Sequence, residues 1–290
     1  MTVGTQLRLW PRRFVTAGRI AARGTKGLVT DLRLFANRWR GGPVFRHVSN
    51  HEFQMLVRAD ESVGREVYCF GVLEREESKF IRQEIKETDV CFDVGANVGY
   101  HTLLLAVTAR RGFVHSFEPV PSNYRLLSAN VALNGLCNVI VNQCAVGAVQ
   151  EEADFVIARD GAFSSFVDTG RMPVHARVRV PVVTLDQYCQ QRRIERVDFL
   201  KVDVEGAEEK VINGAKQLLG NKELRPRFIM LELNDSMLHK HGSSIDNVLT
   251  QMRFFGYSPF ICHKAGRVPF VTEYYGKFEN VFFALSDFQQ

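Results

Sequence analysis

Along the chain, apolar and polar positions fall into two rhythms. Short runs rich in β-branched and aromatic residues, VCFDV (90–94), FVHSF (113–117), NVIVNQ (138–143), DFLKVDV (198–204) and RFIMLEL (227–233), predict buried strands. After most of them apolar residues recur at three- and four-residue spacing, which predicts helices over 98–110, 122–133, 207–219 and 244–255. NVIVNQ leads instead into a ribbon-like region. Upstream, FQMLV (53–57) and EVYCFGVL (66–73) alternate as strands do, and a charged stretch over 74–87 reads as a helix. At the end, YSPFI (257–261) and ENVFFAL (279–285) are too close together for a full helix between them, so a hairpin-like finish with an antiparallel strand is expected. Strand and helix in succession define an α/β fold, a doubly wound and mostly parallel sheet. Ligands in such sheets bind outside the carboxyl ends of the strands, where the strand order switches.

Composition adds little to that picture, whereas charge divides it. A 290-residue chain that is 46% hydrophobic and 24% charged can bury a sizeable core. No run reaches the roughly 18–20 apolar residues of a spanning helix. Residues 1–46 hold ten Arg/Lys against Asp31 alone, so the +5 net charge splits into +9 for this arm and −4 for the rest. Apolar residues interleave with those arginines, and Gly41-Gly42-Pro43 breaks the pattern. Three regions follow: a basic arm (1–46), a cap of strands and helix (47–87) and a main domain (88–290). The arm has the pattern of a basic amphipathic segment that docks on an anionic membrane surface, and equally that of a solvated extension or leader. The six cysteines form no CxxC pair, which fits reduced thiols in a cytoplasmic protein, with peripheral membrane attachment through the arm as the alternative.

Candidate chemistry begins where VCFDV runs into Gly95-Ala96-Asn97-Val98-Gly99. A strand, a tight glycine turn and a helix start place backbone N–H groups beside a ligand. A dinucleotide-binding turn would read GxGxxG; here Asn97 takes the middle position and Asp93 precedes the turn. An acid there repels a pyrophosphate and welcomes an amino group, so a cationic cofactor bearing an amino acid is expected, and S-adenosyl-L-methionine fits. Glu118 ends the next strand, beside Pro119, where one carboxylate can accept from two ribose hydroxyls. The loop with Ala145, in QCAVG, is expected to border the adenine. GAFSSF (161–166) suits either a loop covering the site or a surface hairpin.

The segments DVGANVGYHTLLLA, FEPVPSNYRLLSANVALN, NQCAVG, VTLDQY and FLKVDVEGAEEKVINGA, in this order, resemble the FkbM family of S-adenosylmethionine-dependent methyltransferases. The resemblance covers roughly residues 66–285 and implies a Rossmann-like class I methyltransferase fold, seven strands with the last antiparallel. It also implies transfer of a methyl group to a hydroxyl of a saccharide, glycolipid or secondary metabolite. Family members commonly carry an E-x-H pattern after the fifth strand; here Glu232-Leu233-Asn234 ends in Asn.

For an aliphatic hydroxyl the acceptor side needs a base, drawn from the ends of the fourth and fifth strands. Asp203, Glu205 and Glu232 converge there. Asp203 is expected as base or acceptor orienter and cofactor neighbour, Glu232 as second choice, and Asn234 as a hydrogen-bonding orienter or a strand-end turn residue. Glu205 and Glu208 read equally as acids at a helix N-terminus. His101 reads as structural more than functional. No metal is expected, since no His pair is backed by an acid at ligand spacing. The partner expected is a small-molecule or glycan acceptor. Nucleic acid is disfavoured: the main body is acidic, and no [DNS]PP[YFW] tetrapeptide follows the fourth strand. The readings left open are an RNA-ribose or protein methyltransferase, a non-catalytic membrane-docked cofactor-binding module, and an NAD-dependent oxidoreductase. Oligomeric state leaves no signature.

Overall fold

The computed structural model describes residues 45–263, 266–271, 274–276 and 280–285. The arm, apart from Phe45 and Arg46, lies outside the described residues, and so does its expected membrane-docking pattern.

Five buried strands form the centre: β3 (Val90–Val94), β4 (Phe113–Phe117), β5 (Val139–Asn142), β9 (Phe199–Val202) and β10 (Phe228–Glu232). All their pairings are parallel. They read as near-continuous apolar runs because helices cover both faces. Beyond β10 lie β13 (Asn280–Leu285), antiparallel to it, then β11 (Tyr257–His263) and the edge strand β12 (Gly266–Pro269). The sheet order is β12-β11-β13-β10-β9-β3-β4-β5. The order reverses between β3 and β9, which sets the binding crevice above that pair. The expected antiparallel finish is present, with β12 as an additional edge hairpin.

One face carries the cap and the helices α1 (Ser62–Phe70), α2 (Arg75–Glu84), α3 (Tyr100–Thr108) and α4 (Pro121–Leu133). The opposite face carries α5 (Leu185–Arg192), α6 (Glu208–Asn213), α7 (Lys216–Gly220), α8 (Asp235–Lys240) and α9 (Ile245–Phe254). Strand side chains alternate between them: Cys91, Phe199 and Met230 face α2–α3, whereas Phe92, Leu200 and Leu231 face α5–α9. Each such fully buried apolar side chain contributes roughly 1.5–3 kcal/mol relative to exposure.

Two elements differ from the expected pattern. EVYCFGVL is mostly helical, as α1, rather than a strand. Its buried positions are Ser62, Gly64 and Val67, and Gly64 fits directly against the Arg58 carbonyl at the end of β2 (Gln54–Arg58). The single helix expected over 207–219 is two. The backbone at Gly214 presses on the Gly147 carbonyl, where a Cβ would stand at 2.1 Å. The chain restarts as α7 because the Asp186 carboxylate accepts from Gln217 and Leu218 N–H. A smaller sheet, β6 (Ala145–Val146), β8 (Val174–Val183) and β7 (Glu151–Ala158), is the expected ribbon, and it stands beside the crevice. β1 (Phe45–Ser49) pairs with β2 in the cap.

Candidate active site

The crevice lies above β3 and β9, between the strand ends and the ribbon. At its centre the chain turns from β3 into α3. Gly95 and Ala96 N–H both donate to the Phe117 carbonyl at 3.0 Å. Gly95 has φ 79°, and a Cβ there would lie 1.8 Å from the Asp203 carbonyl oxygen. Only glycine lets this turn close on the β9 end, and the cradle it leaves opens into the crevice.

Glu118 is the most constrained residue of the site. One carboxylate oxygen accepts from Asn97 N–H and the other from Val120 N–H, both at 2.8 Å. Burial pushes its carboxyl up to about 7, against the pull of those two N–H groups. Each oxygen keeps a second lone pair, as a diol clamp requires. Gly95, Asn97, Glu118, Pro119, Ala145 and Asp203, all expected in the cofactor site, line the crevice together. Phe155, Cys144 and Val146 wall it from the ribbon side, and GAFSSF contributes Gly161, Ala162, Ser164 and Phe166. GAFSSF therefore lines one side of the crevice.

Two expected cofactor residues do not reach it. Asp93 is fully buried beneath the turn, because at this register its side chain points to the α3 face. There it accepts from Thr102 Oγ1 at 2.6 Å and stands 3.6 Å from Lys201 Nζ. It braces the turn and is not among the residues that line the crevice. Gly99 starts α3 against Leu127, away from the crevice.

On the acceptor side, Asp203, Glu205 and Glu232 come together, with one oxygen from each within 4.8 Å of the others. That set could take a divalent cation, a possibility the sequence pattern did not suggest, but cationic side chains already serve it. Lys201 Nζ donates to Asp203 at 3.2 Å, and Arg171 pairs with Glu205. Burial alone would raise Asp203; Lys201 and a hydrogen bond with Glu232 prevail and hold it below the ordinary carboxylate range. Burial would likewise lower Lys201, but Asp203 and Asp93 keep it charged. Asn234 is a helix cap: its Oδ1 accepts from Met237 N–H and Ser236 Oγ, so α8, absent from the expected pattern, takes the side chain meant for the acceptor. Glu208 is fully buried and receives Val204 and Gly206 N–H, which fixes the loop after β9. Sequence reasoning missed Lys201, a charged residue hidden in an apolar strand run, and Glu74, which reaches the site from the cap.

A crevice at the switch point, a glycine cradle and a glutamate held by two backbone N–H groups fit a class I S-adenosylmethionine-dependent methyltransferase. The chain belongs to the FkbM methyltransferase family: the Methyltransferase FkbM domain matches residues 93–259. Among relatives, the hexuronic acid methyltransferase AglP of Haloferax volcanii is 24% identical over 195 residues, covering 66% of this chain and 74% of that one. The 31-O-demethyl-FK506 methyltransferase FkbM of Streptomyces tacrolimicus is 26% identical over 204 residues, covering 56% and 75%. Among solved structures, an O-methyltransferase from Bacillus cereus in complex with SAH has a TM-score of 0.41 at 14% identity, covering 73% of this chain and 81% of that one.

Proposed function

We propose that this methyltransferase acts on a hydroxyl oxygen of a saccharide, glycolipid or secondary metabolite. The observation that carries the reading is Asp203: it lines the cofactor crevice, 32% of its side chain is exposed, and Lys201 holds it ionised. The names of two relatives, for a hexuronic acid and for 31-O-demethyl-FK506, support an oxygen of a sugar or natural product.

When bound, the cofactor supplies a methyl group on a positively charged sulfur. Glu118 and the turn at Gly95–Asn97 hold its ribose end. Asp203 accepts the hydrogen bond of the acceptor hydroxyl, points the oxygen at the methyl carbon and takes the proton as the new bond forms. Glu232, hydrogen-bonded to Asp203, helps to hold that carboxylate ionised and in place. A depressed carboxylate is a weak base, so orientation carries more of the effect than proton affinity.

Release of S-adenosylhomocysteine across a panel of glycosides, uronides, glycolipids and hydroxylated macrolides tests the reading. Asp203→Asn should cut turnover by about 10²–10⁴-fold while cofactor binding is kept. A tenfold or smaller loss would move the role to Glu232. Release with RNA or protein alone would replace the hydroxylated small molecule as acceptor.

A further inference from the structure

The acceptor end of the crevice is short of positive charge. Asp203, Glu205 and Glu232 meet there, and α2 brings Glu74 and Glu77 beside them, both bonded by Asn280 at the start of β13. The basic residues nearby are engaged: Lys201 lies between Asp93 and Asp203, and Arg171 holds Glu205.

Glu74 bears the marks of a residue placed for a ligand. Its φ of 46° is in the left-handed region, unusual for a side chain of this size. It occupies the capping position of α2 yet makes no side-chain cap bond. Its Oε2 is buried without a hydrogen-bond partner, and His101 Nε2, equally buried and unpartnered, stands 3.5 Å away. Strain and orphaned polar atoms persist where a bound group repays them. Burial, Glu77 and Asp203 push the Glu74 carboxyl up to about 8, and burial pushes His101 down to about 3. Glu74 Oε2 and His101 Nε2 thus stand side by side, each without a hydrogen-bond partner.

We propose that Glu74 and His101 form the anchor for the α-ammonium group of the cofactor's methionyl end. The assignment rests on the crevice being the S-adenosylmethionine site. An ammonium has three donors and no acceptor, which matches a carboxylate oxygen facing an imidazole nitrogen. Gly95 and Asp203 line the crevice together with Glu118, and Asp203 in turn stands near enough to Glu74 to act on its charge. Asp93, the acid expected for this task, is sealed beneath the turn, and the cap supplies Glu74 in its place.

Calorimetric titration of the full chain with S-adenosylhomocysteine and with 5′-methylthioadenosine, which lacks the amino-acid end, separates the outcomes. Glu74→Gln should weaken S-adenosylhomocysteine at least about tenfold, the size of one charge-assisted hydrogen bond, and leave 5′-methylthioadenosine unchanged. Glu74→Gly keeps the fold testable: glycine accepts φ 46° without strain, so this variant should melt no lower than the parent and show the same selective loss. Equal losses for both ligands, or none for S-adenosylhomocysteine, would overturn the anchor. Failure of the parent chain to bind either ligand would instead overturn the cofactor site beneath it.

Discussion

The pose of Glu118 is fixed by the backbone around it. Asn97 and Val120 N–H each occupy one lone pair, so the carboxylate cannot rotate, and its remaining lone pairs face the crevice. Glutamine at this position would turn an NH₂ toward one of those two N–H donors. Glu118→Gln is therefore expected to lower affinity for S-adenosylhomocysteine by about 10²-fold, the loss of roughly two charge-assisted bonds. The parent should also bind more tightly as pH rises through about 7, because ribose hydroxyls donate to the ionised form. Titrations at pH 6 and 8 check both points. A glutamine variant with parental affinity would remove Glu118 from the cofactor site. The same logic separates Asp93 from Glu74: both are acids near the turn, but the strand register sends Asp93 under it, and the cap brings Glu74 to its rim.

At the scale of elements, the connection between β7 and β8 forms a strap along the crevice. Asp160 ties it to the first turn of α1, accepting from Ser62 N–H at 2.8 Å. Ser165 Oγ donates to the Glu205 carbonyl at 3.2 Å, and Arg171 pairs with the Glu205 carboxylate. Asp160→Ala releases the first of these ties, so S-adenosylhomocysteine should dissociate about tenfold faster, with Asp160→Asn intermediate because it keeps an acceptor. Stopped-flow displacement would measure this, and an unchanged rate would mean that Ser165 and Arg171 close the strap alone. The crevice was legible in the sequence because its lining is local: VCFDV, a glycine turn and an acid ending the next strand follow one another along the chain. The cap was not. The buried side of α1 is marked by Gly64, which carries no hydropathy signal, so 66–73 reads as alternation. The strap and Glu74 act across long sequence separations, and Asn234 became a cap because α8 follows it without an apolar rhythm to announce it.

At the scale of the whole molecule, the buried titratable groups set opposing trends with pH. Burial raises Glu61, Glu118 and Glu208 from 4.5 to about 7 and Glu74 to about 8. Glu77 and Asp93 move in the same direction, again chiefly through burial. Such a carboxyl keeps its proton in the fold after the unfolded chain has released it, so each one lowers stability as pH climbs from about 4.5 to its raised value. Burial also lowers His101 from 6.5 to about 3, and His115 and His241 to about 4. These rings are neutral in the fold while the unfolded chain binds protons, so each one adds stability as pH climbs, up to about 6.5. Asp203, held low, matters only in stronger acid, where its contribution is lost. From about 4.5 to 6.5 the three imidazoles offset only part of the trend set by the carboxyls. Above 6.5 the imidazoles fall silent and the carboxyls act unopposed, so the ligand-free protein should lose stability between pH 6.5 and 8. A fall in Tm on the order of 5 °C is expected. S-adenosylhomocysteine should shrink that fall, because its ammonium meets Glu74 once Glu74 has ionised. Differential scanning calorimetry at pH 6.5 and 8, with and without ligand, measures both effects. A ligand-free Tm that holds steady or rises toward pH 8 would show these carboxyls already ionised in the fold.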